Sequence, residues 1–520
     1  MRIVEKNQNG LSWELTGRTL GMRRERVQAL CAAMFAMLFA SVAHAAGTMQ
    51  VSPARFEPVE VPGTNAFAAS PENLAENGYV EQEYFVSGEA NRYVFPDGMN
   101  SATVVDGGFA YKTRMIVRRP IKPEKFNGTV VVEWYNVTLG QDIDFNWATS
   151  RDYLMRNGYA YISISAQKVG VERLKTWSLA RYGGLTVSAP DTTPPDPLRT
   201  GDVLSWDIFS QAIKAIREPG AVDPLSGMKV RHVLATGESQ AGRRLTQYYN
   251  SIDPLHRLVD GMVFYDPGLS DISGQGTWHL LRTDNPTKLI SVGAEVWSDG
   301  RKVVPDSPTT RRWEVAGTSH LSHWDMLYVD AITTRDKGLR TRSGTPVATI
   351  QDLIVGCAHY PLWSAVPMHK VLNAAFDQVN KWASGNFVAS PGKPLERDTD
   401  GMRLRHDAQG RTFGGIQLAE YVFPTAFNLG YLNPGPGFCR NGGHHRFYTE
   451  AELAALYPDS AAYVRGVTET TKANLTAGYI TCDDAAETIT AAYRLFDRSA
   501  QNRSEKKALC RSGALIDDGG

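Results

Sequence analysis

Ser239 stands in the run Gly237-Glu238-Ser239-Gln240-Ala241-Gly242, directly after the apolar Val233-Leu234-Ala235 and ahead of a helical stretch over 241–249. A serine between strand and helix, with small residues two places to either side, has the form of a nucleophile elbow. The turn there is so tight that larger side chains at 237 or 241 would collide. Ala241 takes the place where a second glycine is usual, which keeps the position small. Read as plain structure, the same serine would only cap the helix that follows. Read as chemistry, its hydroxyl would attack a carbonyl carbon, and a hydroxyl needs a base within hydrogen-bond reach and a carboxylate to orient that base.

In a strand–serine–helix setting the chain order is serine, acid, histidine. Of the eleven histidines, His232, His256 and His279 precede the strand expected to carry the acid. His320, in Ala316-Gly317-Thr318-Ser319-His320, follows the last predicted core strand on a flexible turn and is the preferred base. His323 competes with it, and His359 and His444 are more distant candidates. Glu295, directly after Leu289-Ile290-Ser291-Val292-Gly293-Ala294, is the preferred acid; Asp299 on the same loop and Asp266 after the preceding strand stay open. A tetrahedral intermediate also needs two donors aimed at its oxyanion. The Gln240 N–H is one, and the loop Tyr135-Asn136-Val137-Thr138 offers Asn136 or Val137 as the second.

The elements that must position these groups are legible as period and punctuation. Strand-like runs are predicted at 79–86, 111–117, 129–134, 159–165, 229–236, 259–265, 288–293 and 311–316, with helical stretches at 146–156, 205–217 and 362–384. Strands alternating with helices imply a mostly parallel sheet covered on both faces, with ligands at the carboxyl ends of its strands. Ser239 and the segments after residues 134, 293 and 316 all fall on that edge. Residues 46–76 read as an arm over the core. Residues 171–200, with Pro190, Pro194, Pro195 and Pro197, read as an excursion over the active face, and 388–520 as a C-terminal appendage on a catalytic domain spanning 46–387.

Met22 is a second possible start, followed by Arg23, Arg24 and Arg26, an apolar run over 29–40, and Ala43-His44-Ala45. That pattern predicts a signal peptide over residues 1–45 and a periplasmic or secreted protein, with no membrane anchor after cleavage. The whole chain of 520 residues is formally neutral, and loss of six basic and three acidic residues with the leader leaves −3. Nothing in this balance points to nucleic acid. Cys357, Cys439, Cys482 and Cys510 would remain, an even number suited to disulfides, for which Cys439 with Cys482 is the expected pair. No metal or organic cofactor is expected.

Several segments resemble the bacterial alpha/beta-hydrolase-domain proteins, mostly exported. They are residues 130–137 (Val-Val-Val-Glu-Trp-Tyr-Asn-Val), 163–171, 237–243 and 313–320, together with the tail around Cys439. The resemblance extends from about residue 50 to the C-terminus. It implies an alpha/beta-hydrolase fold and a serine hydrolase with Ser239, Glu295 and His320 in the matching places. The expected activity is hydrolysis of a carboxylic ester through an acyl-enzyme. A serine peptidase or amidase would use the same residues, and a non-catalytic binding protein would keep only the scaffold. Trp134, Trp147, Trp177, Trp297 and Trp324 suggest either a pocket for an aromatic or sugar-like group or ordinary core packing.

Overall fold

The computed structural model describes residues 49–61, 64–96, 100–191, 201–267, 281–299, 303, 305–341 and 343–496. The expected signal peptide, residues 192–200 of the expected excursion and the last part of the appendage lie outside the described residues. The described residues all fall within one compact unit.

Among the described residues nine strands make one sheet. In chain order they are β1 (Arg55–Pro58), β2 (Tyr79–Val94), β3 (Thr103–Pro120), β4 (Thr129–Trp134), β5 (Ala160–Ile164), β6 (His232–Glu238), β7 (Gly261–Tyr265), β8 (Lys288–Gly293) and β9 (Thr310–Glu314). Their order across the sheet is β1-β2-β3-β5-β4-β6-β7-β8-β9. From β5 to β9 every pairing is parallel, while β1, β2 and β3 join antiparallel. Strands such as β4 (TVVVEW), buried along their whole length, read as continuous apolar runs rather than alternations because both faces are covered.

Adjacent residues on a strand point to opposite faces, and β4 shows what covers each. Trp134 meets Phe209 of the helix Ser205–Arg217, with ring centroids 4.9 Å apart. Glu133, one residue earlier, accepts hydrogen bonds from the N–H groups of Asn146 (2.9 Å) and Trp147 (3.3 Å) in the helix Phe145–Arg156. Those N–H groups lie in a first turn that has no carbonyl of its own to bond, so this one acidic residue of an otherwise apolar strand caps a helix. Burial, with Asp144 nearby, pushes the Glu133 carboxyl up to about 8.

Two fully buried arginines on β3 hold the loop between β4 and that helix. Arg114 donates to Asp142 and to the Phe67 carbonyl, and Arg118 donates to Asp144 while lying over the Trp147 ring at 4.7 Å. Burial of a guanidinium is tolerable only with this degree of pairing. Phe67 and Ala68 belong to the arm, which is thereby tied to the core.

The first part of 171–200 is not an open excursion. Helices Lys168–Trp177 and Leu179–Tyr182 occupy it, with Val171 and Leu174 buried at helical spacing. The prolines that suggested a break all lie at 190 or later. Beyond residue 388 the chain covers the edge of the sheet, where Trp313 bridges Lys393 and Val315 bridges Ile416. It then forms a small hairpin of β10 (Ala426–Leu429) and β11 (His444–Phe447), followed by helices Ser460–Thr476 and Cys482–Phe496. A second apolar cluster of Ala419, Tyr463, Val467 and Ala492 packs within this part. Among the described residues no helix is long and apolar enough to cross a membrane.

Cys439 pairs with Cys357, not with Cys482, and Cys482 is itself in a disulfide. Hydrogen bonds also join the two loops: Ala358 N–H donates to the Pro434 carbonyl at 2.7 Å and His359 N–H to Asn433 at 3.1 Å. The bridge spans 82 residues of sequence, and closing a loop of that length in the unfolded chain is worth about 4 kcal/mol. The double variant Cys357→Ala/Cys439→Ala is expected to lose roughly that much stability in denaturant titration. A loss below about 1 kcal/mol would mean that the loops hold each other without the bridge.

Candidate active site

In chain order β5 falls to one side of β4 and β6 to the other, so the strand order reverses between β4 and β6. The crevice at the carboxyl ends of such a pair is where open parallel sheets bind ligands. Here β6 ends at Glu238 and the helix Ser239–Gln247 begins at once. Ser239 has φ +50°, a left-handed conformation that non-glycine residues enter only under constraint. The turn works because its flanks are small: a Cβ on Gly237 would come within 2.9 Å of the Ala241 carbonyl carbon.

The Ser239 Oγ lies 2.8 Å from His320 Nε2, and His320 Nδ1 lies 2.5 Å from Asp266 Oδ2. The tautomer with its proton on Nδ1, facing Asp266, leaves Nε2 free to accept from the serine hydroxyl; in that form Nδ1 does not also accept from Trp297 Nε1, which lies 2.9 Å away. The Trp297 indole stands edge-on to the imidazole, centroids 5.6 Å apart, and walls it in. Asp266 is held in turn by the Ala294 N–H, 2.9 Å from its Oδ1. His320 hangs from the turn after β9, where Gly317 at φ +77° allows the reversal, and its N–H donates to the Asn441 carbonyl at 3.2 Å.

Glu295 is corrected by this geometry. It does not reach His320; its Oε1 accepts the Gly317 N–H at 2.6 Å, pinning the turn that carries the histidine. The physical reason is sheet order: β7 lies directly beside β6, so an acid leaving β7 is one strand nearer Ser239 than an acid leaving β8. Asp299 is also elsewhere, accepting from Leu404 N–H and Arg440. His323 lies tilted against His445 with ring centroids 4.7 Å apart, and His359 against His444 at 5.4 Å.

The Gln240 N–H lies in the first helical turn, where no helical carbonyl precedes it. Asn136 is corrected as a backbone donor, since its N–H is committed to the Ile143 carbonyl at 3.0 Å and its side-chain amide to Glu238 Oε2 at 2.7 Å. The Val137 N–H faces Gln240 Oε1 at a long 3.3 Å, and the Gln240 amide is fixed from behind by Gln167 at 2.9 Å. Sequence reasoning missed Glu238, which lies between these groups. Its only sequence signal is its place beside Ser239.

Ser239 and His320 open on a cleft whose walls are Leu139, Phe145, Leu321, Ile354, Trp363 and Phe438, with Asn136, Thr138 and Asn441 as polar points. Of the tryptophans singled out in the sequence, Trp297 reaches His320. Trp134 and Trp147 are core, and the indoles of Trp177 and Trp324 bond backbone carbonyls. The wall tryptophan is Trp363. Among the described residues no group of side chains could hold a metal ion.

A family model described as an alpha/beta hydrolase domain matches residues 52–490. The chain belongs to the alpha/beta hydrolase domain family. No curated protein sequence matches it. Among solved structures it is similar to an alpha-beta serine hydrolase homologue from Coxiella burnetii, at 10% identity and TM-score 0.24, over 36% of this chain and 69% of that one. It is likewise similar to a glucuronoyl esterase from Solibacter usitatus, at 9% identity and TM-score 0.27, over 53% and 84% of the two chains. These likenesses carry no inference about substrate.

The two acids are separable by experiment. Asp266→Asn is expected to lower kcat by about 10³- to 10⁴-fold, because the wrong imidazole tautomer results, whereas Glu295→Gln should stay within about tenfold of the parent. The reverse order would reassign the acid. Glu295 gives a second reading through stability. Burial pushes its carboxyl up from 4.5 to about 7, so between those values the folded protein keeps a proton that the unfolded chain has released. Stability contributed by this group therefore falls as pH rises from 4.5 to 7, by about 3 kcal/mol. Denaturant midpoints of Glu295→Gln should lack that component of the slope; an unchanged slope would place the proton elsewhere.

Proposed function

We propose that this alpha/beta hydrolase is a serine hydrolase that cleaves a carboxylic ester through an acyl-enzyme. The observation that carries the reading is the unbroken line Ser239 Oγ, His320 Nε2, His320 Nδ1, Asp266 Oδ2, at 2.8 and 2.5 Å, opening on a cleft at the switch point of the sheet.

In this reading Ser239 Oγ attacks the ester carbonyl while His320 Nε2 takes its proton, and the imidazolium so formed is held by Asp266. The carbonyl oxygen becomes an oxyanion received by the Gln240 N–H and by the Val137 N–H, which exchanges its long bond to the Gln240 side chain for a charge-assisted one. Collapse breaks the bond to the alkoxy oxygen, which leaves with the proton from His320. Water then attacks the acyl-Ser239 ester with His320 as base, and the carboxylic acid departs. The apolar walls favour an uncharged acyl or alcohol group packed against Trp363 and Phe438. Cys357–Cys439 and the leader-like residues 22–45 support an exported enzyme, since such bridges persist in oxidising compartments.

A fluorophosphonate probe should label the intact protein and fail to label Ser239→Ala, which should lose about 10³-fold or more in p-nitrophenyl ester hydrolysis. Equal labelling of the variant would remove Ser239 as the nucleophile. Turnover of p-nitroanilides at rates matching the corresponding esters would move the activity to amide hydrolysis.

A further inference from the structure

We infer that Glu238 is a positioning residue that must stay neutral for the reaction, so that its ionisation shuts the enzyme down at alkaline pH. This rests on reading Ser239, His320 and Asp266 as the reacting set.

Glu238 is 1% exposed and closes β6 immediately before Ser239. Its Oε2 accepts from Asn136 Nδ2 at 2.7 Å. Its Oε1 receives no hydrogen bond among the described residues, yet lies 3.2 Å from His320 Nε2, and Glu238 lines the cleft with Ser239. A buried carboxylate oxygen without a donor costs more than an uncharged carboxyl group in the same place. Because Asn136 donates to Oε2, that oxygen is the carbonyl, and the proton belongs on Oε1.

The surrounding charges agree. Glu133 on β4, Tyr265 and Asp266 at the end of β7, and Asp325 on the helix His323–Asp336 all face Glu238. Against them stand His320 and, on the helix that Glu238 precedes, Arg243, whose half-buried guanidinium is itself disfavoured by burial. Burial first, then Asp266, Asp325 and Glu133, holds the Glu238 carboxyl well above the usual range.

What the neutral form does follows from what the ionised form would do. During catalysis Nε2–H must face the serine oxygen and then the leaving alkoxide. A carboxylate 3.2 Å away would take that N–H as an ion pair and hold it off the reaction line. It would also add a negative charge beside a site that must develop an oxyanion. A neutral carboxyl does neither. The proton lost on ionisation passes from Oε1 to solvent, and no other bond changes.

The test is the pH profile of kcat/KM for a neutral p-nitrophenyl ester, using the full chain. The parent should show an acid limb and an alkaline fall of about 10²-fold or more; Glu238→Gln should keep at least about a tenth of the optimum activity and the acid limb but lose the alkaline fall. Asn136→Ala, which removes the donor favouring the carboxylate, should move the alkaline limb up by about one pH unit, and it reads the same group if Glu238→Gln does not fold. A parent profile without an alkaline fall, a fall that persists in Glu238→Gln, or a limb that stays put or moves down in Asn136→Ala overturns the inference. Parent enzyme that a fluorophosphonate does not label at Ser239 overturns the reacting set instead.

Discussion

The turn at Ser239 is the constraint on which the rest of this edge depends. A left-handed φ at a residue bearing a Cβ costs on the order of 1–3 kcal/mol, and nothing local in a serine offsets it. It persists because β6 is locked between β4 and β7 and because the helix after it packs back on the same strands. The smallness of Gly237 and Ala241 follows from that geometry, since the backbone of the first helical turn comes back against the strand end. The turn also fixes where other groups can lie. Glu238 must point into the protein beside the serine, and the Gln240 side chain must lie against the loop after β4.

Placing a serine, a histidine and an acid at one edge buries more carboxyl groups than there are cations to pair with them. Asp266, Asp325, Glu133 and Glu238 share the region, and the described structure resolves the excess in different ways. Asp325 spreads its charge over Tyr265, Thr149 and the Ser322 N–H, and Glu133 caps a helix. Further along β3, where cations are available, Arg114 and Arg118 neutralise Asp142 and Asp144. The arginines therefore stabilise the loop that carries Asn136 and Val137 without adding positive charge beside the imidazole. A positive charge there would disfavour the imidazolium on which the proposed chemistry depends.

Much of the scaffold was legible because parallel strands buried on both faces write themselves as apolar runs. The predicted strands at 129–134 and 288–293 have the observed bounds, and 111–117 recovers only the interior of a longer strand whose outer half is largely exposed and is interrupted by Asp106-Gly107-Gly108. Pairing across the sheet was not legible. Glu295 and Asp266 both follow apolar runs, and only the order β6-β7-β8-β9 decides which of them meets His320. The same holds for Cys357 with Cys439, whose loops come together through long-range backbone bonds that leave no local pattern. Glu238 was passed over for a different reason: a carboxyl beside a serine reads as a solvated turn residue until burial is known.

The residues beyond 388 bear on the site through the histidine rather than through the serine. His320 needs a turn loose enough to reverse after β9 and rigid enough to hold an imidazole to within hydrogen-bond tolerance of two partners. Gly317 supplies the reversal, and its own backbone supplies no rigidity. That comes from outside the turn: Glu295 on the Gly317 N–H, the Asn441 carbonyl on the His320 N–H, and Ser364, whose hydroxyl donates to the Gly317 carbonyl at 2.6 Å and whose N–H donates to Ser319 at 2.7 Å. Asn441 lies two residues from Cys439, so the disulfide to Cys357 anchors the segment that holds the histidine as well as Phe438 on the cleft wall. The C-terminal segment thus completes the geometry that a sheet edge alone leaves open, and its removal would loosen His320 before it disturbed Ser239.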